Sequence, residues 1–151
     1  MKNIGISVLF YMIITMSNVL SAQAPKVVNW EVTKGMIEGD MVEIVFHATI
    51  KDKWKLYSQH TPEGGPVPTA FSFIPSTAYT RVGEVEELTK ALVSQDPLFE
   101  LEVISFENSA KFVQKLKLSD EKSVLQGQIR FMTCNGHQCL PPQDVPFEIK
   151  I

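Results

Sequence analysis

Met41-Val42-Glu43-Ile44-Val45-Phe46-His47-Ala48-Thr49-Ile50 repeats with a period of two. Val42, Ile44, Phe46, Ala48 and Ile50 fall on one side, while Glu43, His47 and Thr49 share the other with Val45. Successive side chains of an extended chain point to opposite faces, so the segment reads as a strand with one buried face. The same alternation recurs at Phe112 to Leu118, Gln128 to Cys134 and Val145 to Ile151, and shorter strand candidates are Val27–Val32, Trp54–Tyr57, Ala70–Ile74 and Leu101–Phe106. Turn residues separate these runs: Glu38-Gly39-Asp40, Pro62-Glu63-Gly64-Gly65-Pro66, Ser119-Asp120-Glu121 and Asn135-Gly136. Val85–Ser94 alone reads as a helical turn or two, stopped by Asp96-Pro97. Many short strands, regular turns and almost no helix predict an all-β, immunoglobulin-like antiparallel β-sandwich, with Phe46, Phe73, Phe112, Phe131 and Phe147 in its core.

The N-terminus sets the compartment. Lys2 precedes an uncharged, mostly apolar stretch, Ile4 to Leu20, closed by Ser21-Ala22-Gln23-Ala24. This is the layout of a secretory signal over residues 1–24, with a retained membrane anchor as the alternative. Export leaves residues 25–151 as one domain in a periplasmic or extracellular space where disulfides persist. The formal net charge is −3, and Lys and Arg are interspersed with acids, which argues against a nucleic-acid surface. The acidic group Glu84, Glu86 and Glu87 reads as a solvated turn or edge.

Only two cysteines occur, in Cys134-Asn135-Gly136-His137-Gln138-Cys139, followed by Leu140-Pro141-Pro142. Cys134 ends one predicted strand and Cys139 precedes the next, so the pair occupies a hairpin connection. A bond between them closes a very small loop, which in the chain-entropy model adds only about 2 kcal/mol, against nearly 5 for a loop of roughly 100 residues. A staple placed for stability gains more from distant partners, which tilts the reading toward redox exchange. A structural hairpin staple in a secreted binding module stays open, because exposure and thiol pKa decide reactivity. Asn135-Gly136 suits a tight reversal, and Pro141-Pro142 withhold two N–H donors at what reads as a sheet edge. His137, between the cysteines, is a candidate for favouring a thiolate. A metal site on Cys134, His137 and Cys139 is a third reading, but its fourth ligand would have to come from His47, His60 or a distant carboxylate.

The run from Cys134 through Cys139-Leu140-Pro141-Pro142, on the last hairpin of an exported sandwich, resembles the N-terminal periplasmic domain of the DsbD thiol–disulfide reductase family. The resemblance extends from Trp30 to Ile151. Trp54-Lys55-Leu56-Tyr57 looks like the family's aromatic strand beside the active site, Asp96-Pro97-Leu98-Phe99 like its cap loop, and Pro66-Val67-Pro68-Thr69 like its rigid approach to a core strand. The family pattern differs in having one more residue between the cysteines, an aromatic at Leu140 and a tyrosine at Lys55.

The resemblance implies disulfide interchange with no metal or organic cofactor. Cys139 is then the interchange cysteine and Cys134 the resolving one. Tyr57 and Asp96 orient or screen the pair, and Phe99, or Leu98 in its place, is the lid. It further implies a stand-alone form of the domain, a membrane-embedded or thioredoxin-like electron donor, oxidised periplasmic client proteins as acceptors, and a setting such as cytochrome c biogenesis.

Overall fold

The structure is a computed structural model that describes residues 25–119 and 123–151. The signal segment expected over 1–24, and Asp120 and Glu121 of one expected turn, lie outside the described residues. Ten strands follow in order: β1 (Val28–Glu38), β2 (Met41–Ile50), β3 (Lys55–Tyr57), β4 (Ala70–Phe73), β5 (Tyr79–Glu87), β6 (Leu92–Asp96), β7 (Leu101–Glu107), β8 (Ser109–Leu118), β9 (Val124–Cys134) and β10 (Cys139–Lys150). Every pairing is antiparallel. One sheet runs β1-β2-β8-β5; the other runs β10-β9-β3-β7-β6, with β4 also paired to β9.

The alternation that identified β2 places its apolar side between the sheets. Val42, Ile44, Phe46, Ala48 and Ile50 are all buried, and Ile44, Phe46 and Ala48 face Gln114, Phe112 and Ala110 across β8. Phe46, Phe112, Phe131 and Phe147 are buried and Phe73 packs against them. Phe46 approaches Phe147 edge-on at 5.0 Å, and Trp30 packs on Phe71, Phe112 and Phe131 at 5.6–6.1 Å. Such aromatic pairs add specificity of position to the area they bury. Gln114 has no exposed surface on this apolar side. Its Nε2 donates to the carbonyls of Val82, Gly83 and Lys115, which satisfies backbone freed where β5 shifts register between Val82 and Glu86.

Two expectations are corrected. β1 runs on past Val32 to Glu38, through a bulge between Lys34 and Ile37. Val85–Ser94 contains no helix: it holds the end of β5, a connection, and the start of β6. Both strands are sheet edges, so their outer sides bury little and the period of two is blurred. Pairing with β8 and β7 overrides the local preference.

The second sheet is buried on both faces near one end. Leu56 and Tyr57 are consecutive and neither has exposed surface; Thr133 and Cys134 are likewise buried in succession. Leu56 and Thr133 oppose each other on the core side. Tyr57 and Cys134 therefore point to the outer face, where a second, smaller apolar cluster forms.

Candidate redox site

Cys134 and Cys139 are directly opposed across the β9–β10 hairpin and joined by a disulfide, with Cα atoms 4.1 Å apart. Asn135 shapes the connection. Its Oδ1 accepts the N–H groups of His137 (3.0 Å) and Gln138 (2.9 Å), and its own N–H donates to Gln138 O at 3.1 Å. Gly136 takes the left-handed conformation, φ +83°, that the reversal needs. The two cysteines differ in burial: Cys134 has no exposed surface, whereas Cys139 is partly exposed. His137 is exposed at the hairpin tip rather than part of the buried cluster. With each cysteine bonded to the other, neither sulfur is free as a metal ligand in this state.

The cover comes from three other elements. Tyr57, at the end of β3, lies beside Cys134 in the cluster with Val103, and Phe99, Leu101, Met132 and Cys139 pack around them. Its hydroxyl donates to Asp96 Oδ2 at 2.9 Å. Burial, together with the hydrogen bond to Asp96 and the charge of that carboxylate, pushes the Tyr57 phenol well above its ordinary range. Asp96 is itself buried. Its Oδ1 accepts the Leu98 N–H at 2.9 Å and its carbonyl accepts the Glu100 N–H at 2.9 Å.

These bonds fold residues 97–100 into a tight loop closed by Glu100 at φ +56°. The loop sets the Phe99 ring edge-on to Tyr57, centroids 6.3 Å apart. Leu98 is 43% exposed. Of Leu98 and Phe99, the one packed in the cluster with Cys134 and Cys139 is Phe99.

Pro66-Val67-Pro68-Thr69 passes over the same face. Val67 N–H contacts Met132 Sδ at 3.4 Å, and Thr69 Oγ1 donates to the Tyr57 carbonyl at 2.6 Å. Lys55, standing where the family pattern has tyrosine, is the cross-strand partner of both Cys134 and Glu107. Its ammonium donates to Ser94 Oγ at 3.3 Å and lies 3.9 Å from Glu107 Oε1.

Glu87 is a residue that the sequence reading assigned to a solvated edge. Its carboxylate accepts Ser58 Oγ at 2.9 and 3.0 Å and the Gln59 N–H at 2.8 Å. Ser58 follows Tyr57 directly and is fully buried, so Glu87 on β5 ties the opposite sheet to the chain carrying Tyr57. No local spacing connects positions 58 and 87; only the packing of the two sheets does.

This arrangement can do one kind of chemistry readily. A disulfide in a short, local loop joins a fully buried cysteine to a partly exposed one, with the Phe99 ring packed in the same cluster. Such a bond is suited to exchange with an attacking thiolate at its more exposed cysteine.

The comparisons agree with the geometry. The family model described as "Thiol:disulfide interchange protein DsbD, N-terminal" matches residues 23–150. No curated protein sequence matches the chain. Among solved structures, the N-terminal periplasmic domain of ScsB from Proteus mirabilis is similar at a TM-score of 0.63 and 16% identity, covering 83% of this chain and 47% of that one. The chain thus spans about half the length of that relative. The Neisseria meningitidis DsbD N-terminal domain, solved in its reduced form, is similar at a TM-score of 0.53 and 19% identity, covering 79% of this chain and 83% of that one. At these identities the structural likeness speaks to the fold, an immunoglobulin-like sandwich. The family match covers nearly all the described residues, and on that ground the chain belongs to the DsbD N-terminal domain family, whose chemistry is thiol–disulfide interchange.

Proposed function

We propose that this protein is a periplasmic relay that takes two electrons from a membrane-embedded or thioredoxin-like donor and passes them to oxidised client proteins through Cys134 and Cys139. The observation that carries the reading is the unequal burial of the two cysteines in a bond that closes only a local hairpin. A donor thiolate attacks Cys139 Sγ; the Cys134–Cys139 bond breaks and Cys134 leaves as a thiolate that takes up a proton. The donor's second thiol then attacks its own sulfur in the mixed disulfide. This releases the Cys139 thiolate and leaves the donor oxidised. The reduced pair repeats these steps in reverse on a client disulfide, with Cys139 attacking and Cys134 resolving.

Phe99 screens the pair between encounters, and Tyr57 with Asp96 holds the screen in place. Export is supported by the apolar run and small residues before position 25, and by the periplasmic setting named for the Proteus mirabilis neighbour.

Trapping tests the roles. A Cys134→Ser variant should accumulate a mixed disulfide with a thioredoxin-like donor, seen on non-reducing gels, because the resolving thiol is gone. Cys139→Ser should trap much less. Equal trapping by both variants would remove the assignment of roles. An inert native disulfide, with a potential below about −300 mV, would return the protein to a stapled binding module.

A further inference from the structure

The backbone at Cys139 carries information that its sulfur does not. In an antiparallel pair, opposed residues alternate between those that exchange both backbone hydrogen bonds, with Cα atoms about 5.5 Å apart, and those that exchange none, about 4.5 Å apart. Cys134 and Cys139 are of the second kind: their Cα atoms are 4.1 Å apart, and the next pair toward the turn, Asn135 and Gln138, is the hydrogen-bonded one. Cys134 therefore turns its N–H and C=O away from β10 and toward its other partner, Lys55 on β3. Cys139 turns its own away from β9. β10 is the edge of its sheet, so these two groups face no strand.

Next to Cys139 that edge is interrupted. Leu140 opposes Thr133, which makes the following residue, Pro141, the next to face outward, and it has no N–H. Pro142 lies in the register shift before Gln143. Beyond it, Asp144, Pro146, Glu148 and Lys150 recur on the outward phase. Asp144 is exposed and held by Arg130 at 2.9 and 3.0 Å, and Pro146 again lacks a donor. Prolines and a charge on outward positions are how sheets block edge pairing. Beside the hairpin turn they leave one open residue, Cys139, which Pro141 separates from the outward positions farther along β10.

We propose that Cys139 docks its redox partner through its own backbone: an extended segment carrying the partner's cysteine pairs with the Cys139 N–H and C=O, for that residue only. The inference rests on the interchange reading above and names how that site recognises its substrate. An extended cysteine-bearing segment is the occupant because the disulfide beside the opening reacts with a thiol or a disulfide, and backbone pairing asks nothing of neighbouring side chains. Recognition is then indifferent to sequence. Pro141 stops the pairing from spreading into a stable added strand, which keeps the complex short-lived.

The test uses the whole domain with its native disulfide and three thiols: glutathione, a capped peptide Thr-Val-Cys-Val-Thr, and the same peptide N-methylated at its cysteine, the amide that would donate to the Cys139 carbonyl. Rates of disulfide reduction are normalised to each thiol's rate with glutathione disulfide. The parent peptide should react about three- to tenfold faster than the methylated one, the equivalent of roughly one net hydrogen bond. In the mixed disulfide between Cys134→Ser and the parent peptide, the Cys139 amide should exchange with solvent several-fold more slowly than in the adduct with glutathione. Equal normalised rates and equal amide exchange, with all three thiols reacting, overturn the docking mode and leave the interchange reading standing. A disulfide that none of the three reduces overturns both.

Discussion

At Tyr57 a single proton links the redox site to stability. The phenol is fully buried and donates to a buried carboxylate, so its folded-state pKa is raised by desolvation first and by Asp96 second. A raised pKa means that the folded protein holds the proton more tightly than the unfolded chain. The associated stability is complete below the unfolded value near 10 and is lost as pH climbs above it. Tyr57→Phe should cost about 1–3 kcal/mol near neutrality, because Asp96 Oδ2 is left buried without its donor. Above pH 10 the wild type should lose up to about 1.4 kcal/mol per pH unit relative to Tyr57→Phe. Urea titrations from pH 7 to 11.5 measure both effects. A constant gap between the two proteins across that range would contradict the assignment.

In the proposed relay, the elements around the pair serve as a cap and a clamp. Phe99 belongs to a loop held by only a few backbone bonds to Asp96, and Glu87 holds the chain beneath it through Ser58 and Gln59. Phe99→Ala should speed alkylation of the reduced pair several-fold while leaving the reduction potential nearly unchanged, since a lid governs access more than equilibrium. Glu87→Ala should produce a smaller rise of the same sign. If the clamp acts through the cap, the rise should vanish in a Phe99→Ala background; an undiminished effect in the double variant would mean that Glu87 acts elsewhere. Both cap residues were visible in the sequence as Asp96-Pro97-Leu98-Phe99. Glu87 was not, because its partners lie 28 and 29 positions away on the other sheet.

For the whole molecule, the disulfide contributes little to holding the fold. The core lies between the sheets, and the cysteines lie on the outer face of one of them. Closing so short a loop adds only about 2 kcal/mol, a minor part of the roughly 5–15 kcal/mol typical of a domain. The reduced protein should therefore keep its β-dominated circular dichroism and a cooperative unfolding transition, lowered by about 2 kcal/mol in urea. Loss of the transition on reduction would recast the bond as a structural staple. Gly127 is a truer structural keystone, since a Cβ there would sit 2.1 Å from the Ser72 carbonyl oxygen and 2.5 Å from the Phe147 ring.

Strand identity, the sandwich class and the position of the cysteines at a hairpin were determined by the sequence itself, because alternation, turn residues and proline act over a few neighbouring positions. Phe46 and Phe112 read as core from their period alone. The helical reading of Val85–Ser94 failed because edge strands bury too little to show that period, and long-range pairing settled their conformation. Which cysteine is fully buried, why Phe99 rather than Leu98 packs edge-on to Tyr57, and how Glu87 reaches Ser58 were decided by tertiary structure alone. Those features depend on which face each strand turns outward and on what another part of the chain lays over it.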